Sequence, residues 1–146
     1  MSQSRTPTAA AKATIAGLAE PRLMQSLNPI AARFVYSLRL IALHQRMKRD
    51  PVPELAIRLN SVDVAVKTLG LSQTVSATWP ENLHVSRFCC CKLTHDEATA
   101  ASMIEGALDR DRTAFERATA GLIRPDRAER LWDSVLALVE AELRAV

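Results

Sequence analysis

The chain has 146 residues, 48% of them apolar and 24% charged, with a formal net charge of +3. That length suits one domain with its own core, and the composition excludes wholesale disorder. Four glycines are too few for a turn-rich β-sandwich, and no run of about 20 apolar residues is present to cross a membrane.

Residues 1–8 read as a disordered tail, and 9–146 as a single helical domain. Lys12 and Glu20 interrupt any apolar core of a secretory signal. A weak Ala-rich helix is expected from Thr8 to Glu20, ended by Pro21. The clearest start signal follows. Asn28 can cap, and Pro29 suits a first helical position, where its missing N–H costs nothing. Ile30, Ala31, Phe34, Val35, Leu38, Ile41 and Ala42 then recur at helical spacing. The helix runs into Arg46-Met47-Lys48-Arg49, whose cations complement its dipole.

Asp50-Pro51-Val52-Pro53 breaks the pattern, and a short helix is expected over Glu54–Leu59. Asn60-Ser61 reads as a turn. Residues Val62 to Leu71 fit both alternation and helical spacing, and are read as helix. Ser72 is expected to cap a further helix through Ala77. Residues 81–93 read as an extended loop or short strand. Thr94 and Glu97 then form a capping-box pattern before Ala98, Ala101, Ile104 and Leu108. A helix with Ala114, Phe115, Ala118 and Leu122 follows the polar turn Asp109-Arg110-Asp111. Pro125 opens the last helix. Its wide apolar arc, from Leu131 to Val139, implies burial on two sides, in a bundle or against a partner. The expected fold is all-α: a compact single-domain bundle of six or seven helices. Its core should include Phe34, Leu38, Leu55, Val66, Leu69, Phe115 and Trp132.

Charge is uneven. Residues 1–52 carry eight Lys or Arg and two acids, the remainder eleven and fourteen. A basic first third invites an acidic partner, such as nucleic acid or an acidic protein. Leu55, Ala56, Leu59, Val66 and Leu69 fall where the helix-turn-helix family packs its two helices, and residues 54–69 resemble that motif. Asn60 can take the left-handed turn usually given to Gly. The resemblance implies DNA binding, with Lys67 and Thr68 on the second helix and Arg39, Arg46, Lys48 and Arg49 of the preceding basic helix on phosphates. Asp63 on the same second helix would repel phosphate.

Three cysteines stand together, Cys89, Cys90 and Cys91, with His95 four residues on. An odd, adjacent set is a poor disulfide framework, and a reducing cytoplasm is expected. Thiolates and an imidazole also offer a zinc or redox-sensing site. However, adjacent side chains in an extended segment point to opposite sides, and no second ligand pair exists. The stretch from Cys89 to Ala98 resembles one in small uncharacterised alphaproteobacterial proteins, where a cysteine run precedes a Thr-x-Asp-Glu helix start. That resemblance implies a bacterial cytoplasmic protein and carries no activity. No phosphate loop, Ser-His-Asp set or H-E-x-x-H pattern is present. The expectation is therefore a non-enzymatic regulatory protein without a cofactor. DNA is its first expected partner, and a homodimer or an acidic protein the alternative.

Overall fold

The structure, a computed structural model, describes residues 22–145. The tail expected over 1–8 and the helix expected over 8–20 lie outside the described residues. Among the described residues the chain forms six α-helices and no strand, an all-α domain as the periodicity predicts. A 3-10 turn over Met24–Ser26 precedes them.

Helix α1 spans Pro29–Arg46 and begins as its sequence dictates. The Asn28 side chain accepts from the Ile30 N–H at 2.9 Å, and Pro29 occupies the first turn. Helix α2 spans Val52–Leu59, and α3 spans Val62–Thr78. The break expected at Ser72 does not occur, and Ser72 is buried within α3. A serine caps only where backbone N–H groups are free. Here the helix already runs through Ser72, so those groups bond four residues back.

Helix α4 spans His95–Leu108 and opens with the predicted capping box. Thr94 Oγ1 accepts from the Glu97 N–H, and Glu97 Oε1 accepts from the Thr94 N–H. Helix α5 spans Arg112–Thr119, and α6 spans Pro125–Arg144. Helix α3 lies antiparallel to α6, because Asp63 meets Arg144 at one end and Arg127 meets the Ala77 carbonyl at the other. Helices α1 and α4 are likewise antiparallel, tied by Asn28 to Glu105 and by Arg39 to Glu97. The broad apolar face of α6 is used inside the chain, against α3 and α4. Residues 80–93 cross α1 as a loop, joined to the start of the described chain by one antiparallel bridge, Leu23 to Lys92.

Most of the expected core is buried, including Phe34, Leu38, Leu55 and Phe115, with Leu69 and Trp132 packed at its edge. Val66 is a correction: it is 50% exposed. Helix α3 has apolar residues nearly all round, so spacing alone did not choose its inner face. Packing against α2 and α6 selects Val64, Ala65, Thr68, Leu71 and Val75 instead.

Helices α1, α2 and α4 end by the same device. Lys48, Asn60 and Arg110 take left-handed backbone, with φ of 54°, 55° and 53°. In each case the next N–H reaches back to close the turn: Arg49 to His44, Ser61 to Ala56, and Asp111 to Gly106. Glycine is the usual residue here, because a side chain in this conformation is strained. Asn60 fits the expectation from sequence. Arg110→Gly should raise stability by about 0.5–1 kcal/mol. It gives up only an exposed pair with Glu140 at 3.5 Å, and such pairs contribute little. A urea midpoint that rises at constant m checks this; a midpoint that stays or falls refutes it.

Candidate functional site

Arg39 is the largest departure from the sequence reading. Expected on phosphate, it is 2% exposed, in the middle of α1. Its Nε donates to Glu97 Oε2 at 2.7 Å and its Nη2 to Glu97 Oε1 at 3.0 Å. Nη1 donates to the Cys90 carbonyl at 2.6 Å, and Nη2 also to the Lys92 carbonyl at 3.1 Å. Glu97, fully buried, accepts besides from the N–H groups of Thr94 and Ser86. Burial is the strongest single influence on the Glu97 carboxyl and pushes its pKa up. The Arg39 hydrogen bond, those from Thr94 and Ser86, and the Arg39 charge together outweigh it and hold the carboxyl below its usual range. The same hydrogen bond raises the Arg39 pKa against the cost of burial. A guanidinium so saturated has no donor to give a phosphate.

This pair is a clamp on the cysteine loop. It binds two carbonyls and two N–H groups of the stretch between Ser86 and Thr94. Cys91 is held too, its carbonyl accepting from the Met24 N–H at 2.7 Å. All three cysteines are free thiols; Cys89 and Cys91 are exposed and Cys90 half-buried. His95, exposed on the first turn of α4, does not join them. Among the described residues no group of three or more His, Cys, Asp or Glu side chains gathers as a metal ligand set. The paired acids Asp96 and Glu97 have separate structural tasks. Asp96 accepts from the Trp79 indole and the His84 N–H, whereas Glu97 holds Arg39.

Thr68 is the second correction. It is 2% exposed, on the buried side of α3, and cannot reach DNA. Lys67 is exposed, but its outward neighbours on α3 are Val62, Asp63 and Val66. The corner between α2 and α3 does have a helix-turn-helix connection, with left-handed Asn60 between two packed helices. The outward face of the first two turns of its second helix lacks the Arg, Asn or Gln groups that read base edges; Gln73 is exposed only further along.

Several clefts border α1, and two of them matter here. The first, of about 350 Å³, has Tyr36, Leu40, Leu55 and Phe88 in its walls with Arg33 and Arg58. Both cations are committed. Arg33 holds Glu142 at 2.8 and 2.9 Å and the Leu59 carbonyl at 3.0 Å. Arg58 holds Glu54 and lies over the Phe88 ring.

The second cleft, of about 640 Å³, lies between the C-terminal turns of α1 and residues 82–87. Arg46 and Arg87 line it, and no acidic side chain does. Lys48 and Arg49 follow on the turn that ends α1. Arg46, Lys48, Arg49 and Arg87 are exposed and form no ion pair among the described residues. Elsewhere most arginines, from Arg22 and Arg33 to Arg112 and Arg144, hold a carboxylate. The nearby Asp50 spends an oxygen on the Val52 N–H at the start of α2. Arg87 is the residue that sequence reading missed. Its only signal was a cation within the extended stretch, which also carries Glu81 and Lys92.

Among the described residues no helix is long and apolar enough to cross a membrane. Compared with protein-family models, with curated proteins and with solved structures, the chain matches none of them.

Proposed function

We propose that this protein is a non-enzymatic module that binds the phosphate backbone of nucleic acid through Arg46, Lys48, Arg49 and Arg87, without reading base sequence. One observation carries this reading: Arg46 and Arg87 line one cleft, Lys48 and Arg49 follow Arg46 on the turn that ends α1, and none of the four has a carboxylate partner among the described residues, where most other arginines do. Unpaired, solvated cations in a concave site attract a polyanion and release its counterions on binding. Arg39 and Thr68, buried, have no part in it.

The test is binding to duplex DNA of random sequence across a salt series. Four phosphate contacts predict a slope of log affinity against log salt of roughly −3 to −4. Reversal of Arg46, Lys48 and Arg49 to Glu should weaken binding equally on every sequence and flatten that slope. Lys67→Ala should leave it as it was. No binding at low salt, or a slope indifferent to the triple reversal, refutes the proposal.

A further inference from the structure

Helix α3 has a face that the described residues do not cover. Only two of its seventeen residues are charged, Asp63 and Lys67. Its buried side runs through Val64, Ala65, Thr68, Leu71, Ser72 and Val75. Each residue turns the helix by about 100°, so the line opposite passes through Val66. Val62 and Gly70 lie one turn to either side, and Gln73 and Ala77 continue that line. Val62 is 66% exposed and Val66 50%. A surface helix ordinarily puts charge opposite its buried stripe. Here the charges stand on one flank and an uncharged ridge occupies the centre. Scattered exposed apolar residues need no explanation, but a row of them along one helix does.

The charges say what covers it. Asp63 and Lys67 are one turn apart on the same flank. If a second α3 lies antiparallel against the first, with a two-fold axis at Val66, the flanks meet. Asp63 of each copy then stands within about one turn of Lys67 of the other, within a lysine's reach. Val66 meets Val66. Val62 faces Gly70, where nothing lies within 4 Å of the position a Cβ would take. The surface is thus complementary to itself in shape and in charge, as a two-fold interface requires. Leu143, 52% exposed, is carried beside this face by the contact of Arg144 with Asp63 at 3.5 Å. We infer that two copies of this chain associate through antiparallel contact of their α3 helices, with Val62 and Val66 against the partner and Asp63 paired with the partner's Lys67. The basic cleft is not on this helix, so this inference and the nucleic-acid reading stand or fall separately.

The experiment is sedimentation velocity on the whole chain over a concentration series, with helical circular dichroism as the check on folding. The native chain should pass from monomer to dimer as concentration rises. Val66→Glu should remain monomeric while keeping the native spectrum. Lys67→Glu sets acids against acids across the interface, and Asp63→Arg sets bases against bases. Each should weaken self-association by about tenfold or more. An equimolar mixture of the two charge variants should form a heterodimer to within about threefold of native affinity, because both charge pairs are then restored. A native chain that stays monomeric to about 1 mM overturns the inference. So does a dimer that Val66→Glu leaves intact, or a mixture of charge variants that associates no better than either alone.

Discussion

Arg39→Met is expected to cost about 3–5 kcal/mol of folding stability, because it leaves the Glu97 charge buried and unpaired. It also strands the Cys90 carbonyl and leaves the Lys92 carbonyl with only a 3.4 Å bond from the Ser86 hydroxyl. Arg39→Lys should recover little, since an ammonium cannot reproduce the two-pronged bond to the carboxylate. Removing both charges, as in Arg39→Met with Glu97→Gln, should cost less than the sum of the single changes, with coupling of about 1–3 kcal/mol. Urea unfolding of the four proteins measures this. Strict additivity would show that the two side chains are not a unit. Amide exchange adds a local readout, in which Ser86 and Thr94 should lose protection first.

The pH dependence has a definite sign. The Glu97 carboxyl is held below its unfolded value. Its contribution to stability is therefore complete above the ordinary carboxylate range and is lost as pH falls through the lowered folded value. Acid should weaken the native protein in that window and have little effect through this group near neutrality. Glu97→Gln should flatten the acid limb. An acid limb that is unchanged in Glu97→Gln would assign it to other carboxylates.

Phe115→Ala should cost about 3–5 kcal/mol. Helix α5 has eight residues, and Phe115 is its one fully buried large side chain. The ring stands edge-on to Trp132 with centroids 5.0 Å apart, which joins α5 to α6. On the other side Gly106 brings α4 against the α5 backbone. A Cβ at Gly106 would sit 3.2 Å from the Phe115 nitrogen. Neighbours on rigid backbone cannot collapse into the space a lost ring leaves, so a cavity term adds to the lost transfer energy. Phe115→Leu keeps part of the volume and should cost about 1–2 kcal/mol. Trp132 reports the change directly, as a red shift and broadening of its emission in Phe115→Ala. A native spectrum with a loss below about 1 kcal/mol would mean that α6 closes the gap.

Local chemistry was legible wherever it depends on near neighbours. Asn28 with Pro29, Thr94 with Glu97, and Asn60 at the corner after α2 are all decisions made within four residues. The end of α1 was legible too, because Asp50 and two prolines stop it. Ambiguity began at α3, where apolar residues on every side satisfy more than one period. Val66 was assigned inward and Thr68 outward, and the structure reverses both.

The functional residues divide along the same line. Arg46, Lys48 and Arg49 were visible because they crowd into one turn of sequence. Arg87 was not, since it shares a cleft with Arg46 only when the loop crosses α1. Arg39 looked like its basic neighbours, although it stands between Leu38 and Leu40 on a helix otherwise apolar at those positions. That placement was the available clue: a guanidinium there must find a buried anion or break the core.

The sequence by itself determined the all-α class, the caps, most helix boundaries and much of the core, because capping and amphipathic periodicity act over a few residues. Tertiary structure alone decided which face of α3 turns inward, which cations stand unpaired among the described residues, and that Arg39 belongs to Glu97, 58 residues away. Those outcomes depend on which surfaces meet when helices pack. A buried charge is tolerated only where that packing delivers its partner.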